Sequence, residues 1–362
     1  MNTSPLLAYT GNPIRKRLGK ADRNAGFRME GYRIWGSSVI RGDDGRYHMF
    51  VTRVPACMRF HPGWMIASEI VHAVSETPEG PYRFADIALA ARGAQYWDGR
   101  SAHNPKVVHY AGRYYLFYMG STHPFEDVTP ENADLLDLQS KWCIAGRANK
   151  RVGVAVSESP WGPWQRFDEP LLPTRPNTFY SFLTSNPAPV IEASGRTFLI
   201  FKARAYEGNT HGAMSIGLAV APHPLGPYEV INHEPLFSPA NIGEVEDPYL
   251  WKDEDGFHIL AKDQQGTISG LEPGCGILAH SPDCLHWELD PDPVAYRRQI
   301  VWKDGTQTQP GNMERVSGLH DEHGVLTHLF FAVWEGTRGF CDESPHAQVW
   351  NMVIPLLDGA AE

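Results

Sequence analysis

Val245-Glu246-Asp247-Pro248-Tyr249-Leu250-Trp251, turning at Gly256, is the clearest copy of a pattern that recurs along the chain. A polar residue, usually followed by proline, opens an apolar strand; a glycine turn follows, and then a second apolar strand. Asn104-Pro105-Lys106-Val107-Val108 repeats it with a turn at Gly112, and Asn186-Pro187-Ala188-Pro189-Val190 with a turn at Gly195. Gly36-Ser37-Ser38-Val39-Ile40 and Arg315-Val316-Ser317-Gly318-Leu319 are copies without proline, turning at Gly45 and Gly324. A second pattern alternates with the first. Ala73 leads to Gly80-Pro81-Tyr82, Ala155 to Gly162-Pro163-Trp164 and Ala219 to Gly226-Pro227-Tyr228, while Ala279-His280-Ser281 leads to His286-Trp287 without the Gly-Pro.

One round of both patterns makes four short antiparallel strands, and five rounds cover the chain. A single such unit cannot bury both of its faces, so units of this kind stack around an axis. The sequence therefore predicts an all-β fold, a five-bladed β-propeller with four-stranded antiparallel blades around a central channel. A β-sandwich does not require two hairpin types alternating at fixed offsets. Residues 31–362 form the propeller in this reading. Residues 1–30 form an N-terminal extension placed to close the ring beside a last strand from His346 to Leu356, which removes an exposed edge.

Turns within each pattern are short, and connections between patterns are long: Arg53 to Glu69, Ser121 to Arg151, Ala205 to Ala213, Asp263 to Gly276 and Glu335 to Pro345. Alternate turns of an up-and-down blade lie on opposite faces. All five long connections then share one face with the starts of the inner strands, where a site built from loops is expected. Asn132 to Leu138, inside the longest connection, is read as a short helix walling that site.

Composition narrows the function. Hydrophobic residues make up 42% and charged residues 20%, which places the chain among globular domains. The 11 Trp suit strands and flat ligands such as sugar rings. A net charge of −10 argues against nucleic acid, which needs a basic face. No apolar run is long enough to cross a membrane, and Met1-Asn2-Thr3-Ser4-Pro5 opens no signal peptide, so a cytoplasmic location is expected. The five Cys are odd in number and scattered, which fits reduced thiols rather than disulfides or a zinc site. No cofactor is expected, although a propeller channel has room for a structural cation. The sequence says nothing about oligomeric state.

The starts of the inner strands are Trp35-Gly36, His103-Asn104, Ser185-Asn186, Glu246-Asp247 and Glu314-Arg315. Glu246, Asp247 and Glu314 bring three acidic groups together from two blades, with Asp98 just upstream of the second blade. These four are the catalytic candidates, because glycosidic bond cleavage needs one protonated and one ionised carboxyl group. Asp or Asn before Pro also caps turns, so Asp247 reads equally well as structural, as does Asp98 in its loop. Trp35, His103, Asn104, Asn186, Lys202, Arg204, Lys262 and Arg315 are the substrate-binding candidates. Arg53, Trp64, Trp97, His61 and His211 fall near the same face. Cations on the second strands either pair with the carboxylates or receive an anionic ligand.

Blades whose inner strands open with Asp/Asn-Pro resemble the propellers of glycoside hydrolase families 43, 32 and 117. Val245-Glu246-Asp247-Pro248 and Ala102-His103-Asn104-Pro105 carry the likeness, with Trp350-Asn351-Met352-Val353-Ile354-Pro355 at the closing strand. The resemblance implies hydrolysis of glycosidic bonds in a small oligosaccharide, by an inverting acid–base route. A uronic or otherwise anionic sugar is expected from the basic strand residues. One departure stands out: families 43 and 32 supply a catalytic Asp from the first blade, where this chain has Gly36. Either Asp98 or a carboxylate of blade four or five replaces it, or the chemistry differs. A non-catalytic sugar-binding propeller, and a glycoside phosphorylase or lyase, are the alternatives.

Overall fold

The computed structural model describes residues 14–336 and 348–358. Five antiparallel sheets follow one another in chain order, each running outward from its first strand. Their inner strands are Tyr32–Arg41, Ser101–Tyr110, Leu183–Ile191, Val245–Asp253 and Asn312–His320. This is the five-bladed propeller expected from the repeat. Four sheets have four strands. The fifth has three, ending at Val349–Pro355, and residues 18–27 run beside it with bridges Leu18–Leu356 and Phe27–Asn351. Of the expected last strand, His346 lies outside the described residues.

Alternation of side chains across each strand gives every blade two apolar faces, and five cores form where neighbouring faces meet. In blade two Leu116 packs toward blade one and Phe117 toward blade three; in blade four Ile259 faces blade three and Leu260 faces blade five. Phe330 joins the first blade's Met49, Val51 and Val71, which closes the apolar circuit.

The Asn/Asp-Pro motif proves to be a bulge. In four inner strands the pairing slips at the same repeat position, Asn104-Pro105, Asn186-Pro187, Asp247-Pro248 and Arg315-Val316, and in the first it slips one residue earlier, at Trp35-Gly36. Asn104, Asn186, Asp247 and Arg315 are left-handed there, with φ of 51°, 47°, 61° and 56°. Asn and Asp tolerate that region better than other side chains, and proline fits a position that donates no ladder hydrogen bond. The bulge turns each residue out of the sheet toward the axis.

Residues from four of the long connections gather at one opening, and the short turns such as Arg41–Tyr47 and Asp321–Gly324 line the opposite one. The fifth connection lies mostly outside the described residues. Ala133–Leu135 forms a single 3-10 turn instead of the expected helix, and the helix of the insert comes later, at Lys141–Ala148. Cys57, Cys143, Cys275 and Cys284 are free thiols.

Candidate active site

The opening on the long-loop face is a cavity of about 310 Å³. Strand ends supply Trp35, Lys202, Arg204, Glu246, Lys262, Glu314 and Arg315; connections supply Phe60, His61, Trp64, Arg147, Lys150, His211 and Arg298. Glu246 and Glu314 are both buried and both face it, although they open different blades. Lys262 lies between them, with Nζ 2.7 Å from Glu246 Oε2 and 3.0 Å from Glu314 Oε1. Lys202 Nζ donates to Glu246 Oε1 at 2.5 Å, and Asn312 Nδ2 donates to Glu314 Oε1 at 2.8 Å.

Charge fixes the protonation of this group. Burial alone would raise the Glu246 pKa, but Lys202, Lys262 and Arg315 carry it well below the ordinary carboxylate range. Burial would likewise neutralise Lys262, yet Glu246, Glu314 and Asp247 raise its pKa and hold it as an ammonium. Glu246 is therefore an ionised carboxylate at any working pH.

Asp247 turns the other way, because the left-handed bulge swings it toward the axis. It sits in a ring of side chains around the axis. Asn104 Nδ2 donates to Asn186 Oδ1 at 3.0 Å, Asn186 Nδ2 donates to Asp247 Oδ1 at 3.0 Å, and the Arg315 guanidinium grips Asp247 Oδ1. Gly36 completes the circle. A Cβ built there would stand 2.9 Å from Arg315 Cβ and 3.1 Å from its Cγ, so a side chain at this position would press on Arg315. Asp247, Asn104 and Asn186 thus border a separate small space on the axis and do not line the cavity.

Asp98 also lies elsewhere. It is fully buried, with Arg92 Nε at 2.7 Å, Arg166 Nη2 at 2.6 Å and the Tyr118 hydroxyl donating at 2.5 Å. Its oxygens are committed to tying its loop to blade two's strands. Arg53 is paired with Glu69 at 2.7 Å, and Trp97 donates to the Phe167 carbonyl, both away from the cavity. His103 is buried behind Trp64, ring centroids 5.2 Å apart, and does not line the cavity.

Sequence reasoning missed Arg147, Lys150 and Arg298. The first two lie at the end of an insert that has no counterpart in the repeat, so position in the pattern gives them no signal. The length of the insert was the available clue. Lys150 is 3% exposed, with its Nζ 3.9 Å from the Trp64 ring centroid.

The wall also carries a titrating group. Trp64 Nε1 donates to His61 Nδ1 at 3.0 Å, and burial followed by the charges of Arg147 and Lys150 lowers the His61 pKa to about 4. The unfolded chain then binds more protons than the folded one between pH ~4 and ~6.5, so this group makes stability rise with pH across that window. The melting temperature is expected to fall as pH drops from 6.5 to 4, and the His61→Gln variant should show a shallower fall. Parallel pH–melting curves would show that His61 does not contribute.

No family model matches the chain, and no curated protein matches it by sequence. Solved structures match along nearly its whole length. Zg3597, a family 117 glycoside hydrolase from the marine bacterium Zobellia galactanivorans, aligns with a TM-score of 0.63 at 20% identity, covering 95% of this chain and 91% of its own. The catalytic domain of the Coprinopsis cinerea family 62 α-L-arabinofuranosidase gives 0.59 at 11% identity, covering 97% and 100%. CoXyl43, a family 43 β-xylosidase/α-arabinofuranosidase from a compost metagenome, gives 0.58 at 14%, covering 96% and 97%. The chain thus has the five-bladed propeller fold of these glycoside hydrolases.

Proposed function

We propose that the chain is a glycoside hydrolase that cleaves a small oligosaccharide in the long-loop cavity, with Glu246 as the ionised carboxylate and Glu314 as the proton donor. The observation that carries this is the pair of buried glutamates sharing one lysine at the open end of the channel, in a fold whose solved relatives act on glycosides. Trp35, Phe60 and Trp64 give the cavity an aromatic lining, of which Trp64 is the partly exposed member. Glu314 protonates the departing glycosidic oxygen, while Glu246 faces the positive charge that develops on the sugar.

The spacing bears on stereochemistry. Through Lys262 the nearest oxygens of the two glutamates come within about 5.7 Å of each other. An inverting pair stands ~6.5–9.5 Å apart with a water between its carboxyl groups and a retaining pair ~5–5.5 Å apart, and the anomer first released tells the two routes apart.

Sugar release from a panel of aryl glycosides and oligosaccharides, with and without phosphate, tests the reading. Phosphate-independent release of free sugar is the expected result. Release only with phosphate would make the protein a phosphorylase, an unsaturated product absorbing in the near ultraviolet would make it a lyase, and binding with no release would leave a sugar-binding propeller.

A further inference from the structure

We infer that the cavity selects its sugar by an oxyanion carried on the ring, a carboxylate or a sulfate ester, held by Arg147, Lys150 and Arg204. This rests on the reading of the cavity as a sugar site and names what that site distinguishes.

The cations of the cavity fall into two sets. Lys202, Lys262 and Arg315 each touch a carboxylate. Among the described residues, no carboxylate lies within 4 Å of the charged groups of Arg147, Lys150 or Arg204. Of the strand cations that the sequence put forward for an anionic sugar, Lys202 and Lys262 are thus occupied in holding the glutamates and Arg53 pairs with Glu69, while Arg204 falls in the second set. The second set is not so occupied.

What the second set touches is a poor substitute for an anion. Arg147 Nη1 approaches His211 Nε2 at 3.0 Å, and Arg204 Nη1 lies 3.1 Å from His211 Nδ1. A neutral imidazole accepts at one nitrogen only. With Nε2 accepting from Arg147 and Nδ1–H donating to the Gly212 carbonyl at 3.2 Å, Arg204 is left with that same carbonyl as its acceptor. Two guanidinium groups therefore share one neutral ring, whereas their fork of donors matches a planar oxyanion. Lys150 has the Trp64 ring for its cation, and burial together with Lys202, Arg147 and Arg315 pushes its pKa well below the ordinary lysine value. An anion bound among the three offsets that cost, because a buried charge is stable only when paired.

The same geometry ties the anion to a sugar. Lys150 lies over Trp64 in the wall of the cavity, so the ammonium stands where a sugar bound in that cavity presents its substituents. Lys202, within electrostatic reach of Lys150, holds Glu246. Anion site and carboxylate pair line one continuous cavity.

Calorimetry on the intact protein tests this with matched probes: methyl glucoside and galactoside, their uronates, their 6-sulfates, and inorganic phosphate and sulfate. In at least one matched set the charged sugar should bind at least tenfold more tightly than its neutral parent. Arg147→Met should weaken that sugar roughly 10- to 150-fold, the range for a charged hydrogen bond, and leave the neutral parent unchanged. Lys150→Met provides the same readout should Arg147→Met fail to fold. Preference for the uronate assigns a carboxylate, preference for the sulfate an ester, and either supports the inference. Equal affinity within every set, no binding at all, or inorganic phosphate or sulfate matching the best sugar would overturn it. Because binding is read without turnover, a protein that prefers uronates but releases no sugar refutes the hydrolase reading alone. Hydrolysis of neutral glycosides with no charge preference refutes this one alone.

Discussion

Conversion of Glu246 or of Glu314 to Gln should each lower turnover by roughly 10²- to 10⁴-fold, the usual loss when a general acid or base is removed. Gln keeps the shape of the side chain, so the loss is chemical. The two variants should differ in kind. Glu314→Gln removes the proton donor and should spare aryl glycosides whose leaving groups depart without protonation. Glu246→Gln should affect good and poor leaving groups alike. It also leaves Lys202 without its carboxylate, and Lys262 with Glu314 as its nearest one. The measurement is turnover of each folded variant on a matched pair of such substrates. Near-native turnover in both would make the glutamates structural holders for Lys262.

The largest effect on stability is expected on the axis. Among the described residues, Arg315→Met leaves Asp247 buried with Lys262, 3.7 Å away, as the one cation within 4 Å, and breaking a buried pair from one side costs about 3–5 kcal/mol. Asp247→Asn in the same chain should restore much of that loss, because a third amide extends the relay already running from Asn104 to Asn186. Denaturant unfolding of the single and double variants checks this. A double variant no more stable than Arg315→Met would mean that the ring contributes through its charge alone.

Which parts of this molecule were legible in sequence follows from how periodic they are. The fold was, because Gly-Pro turns at Gly80, Gly162 and Gly226 and the Asn/Asp-Pro bulges recur at fixed offsets, each marking the same point of a blade. Glu246, Glu314, Lys202 and Lys262 were legible for the same reason, since they occupy equivalent strand ends that open on the long-loop face. Asp98 was misplaced because it belongs to a connection between blades, where nothing in the repeat says whether a carboxylate faces solvent, a pocket or a pair of arginines. Asp247 was half legible. The motif announced a special position, but only three dimensions show that a left-handed bulge turns it to the axis and that Arg315 meets it there. Arg147 and Lys150 lie where the sequence repeats nothing.

The seam of the ring has a consequence for synthesis. Gly19 donates to the Pro355 carbonyl, Phe27 and Asn351 exchange backbone hydrogen bonds, and Asn351 Nδ2 donates to the Trp35 carbonyl while its Oδ1 accepts from Ser37. Every one of these contacts joins residues 19–37 to residues 351–355. A ribosome meets the two partners hundreds of residues apart, so blades one to four emerge and pack while the ring still gapes. The first blade's apolar face waits for Phe330 and Val353 throughout. Contacts this distant in sequence form slowly, and an unsealed strand edge is an invitation to a neighbouring chain. Growth at elevated temperature, or premature termination before Val349, should therefore yield aggregates of otherwise well-formed blades rather than soluble fragments.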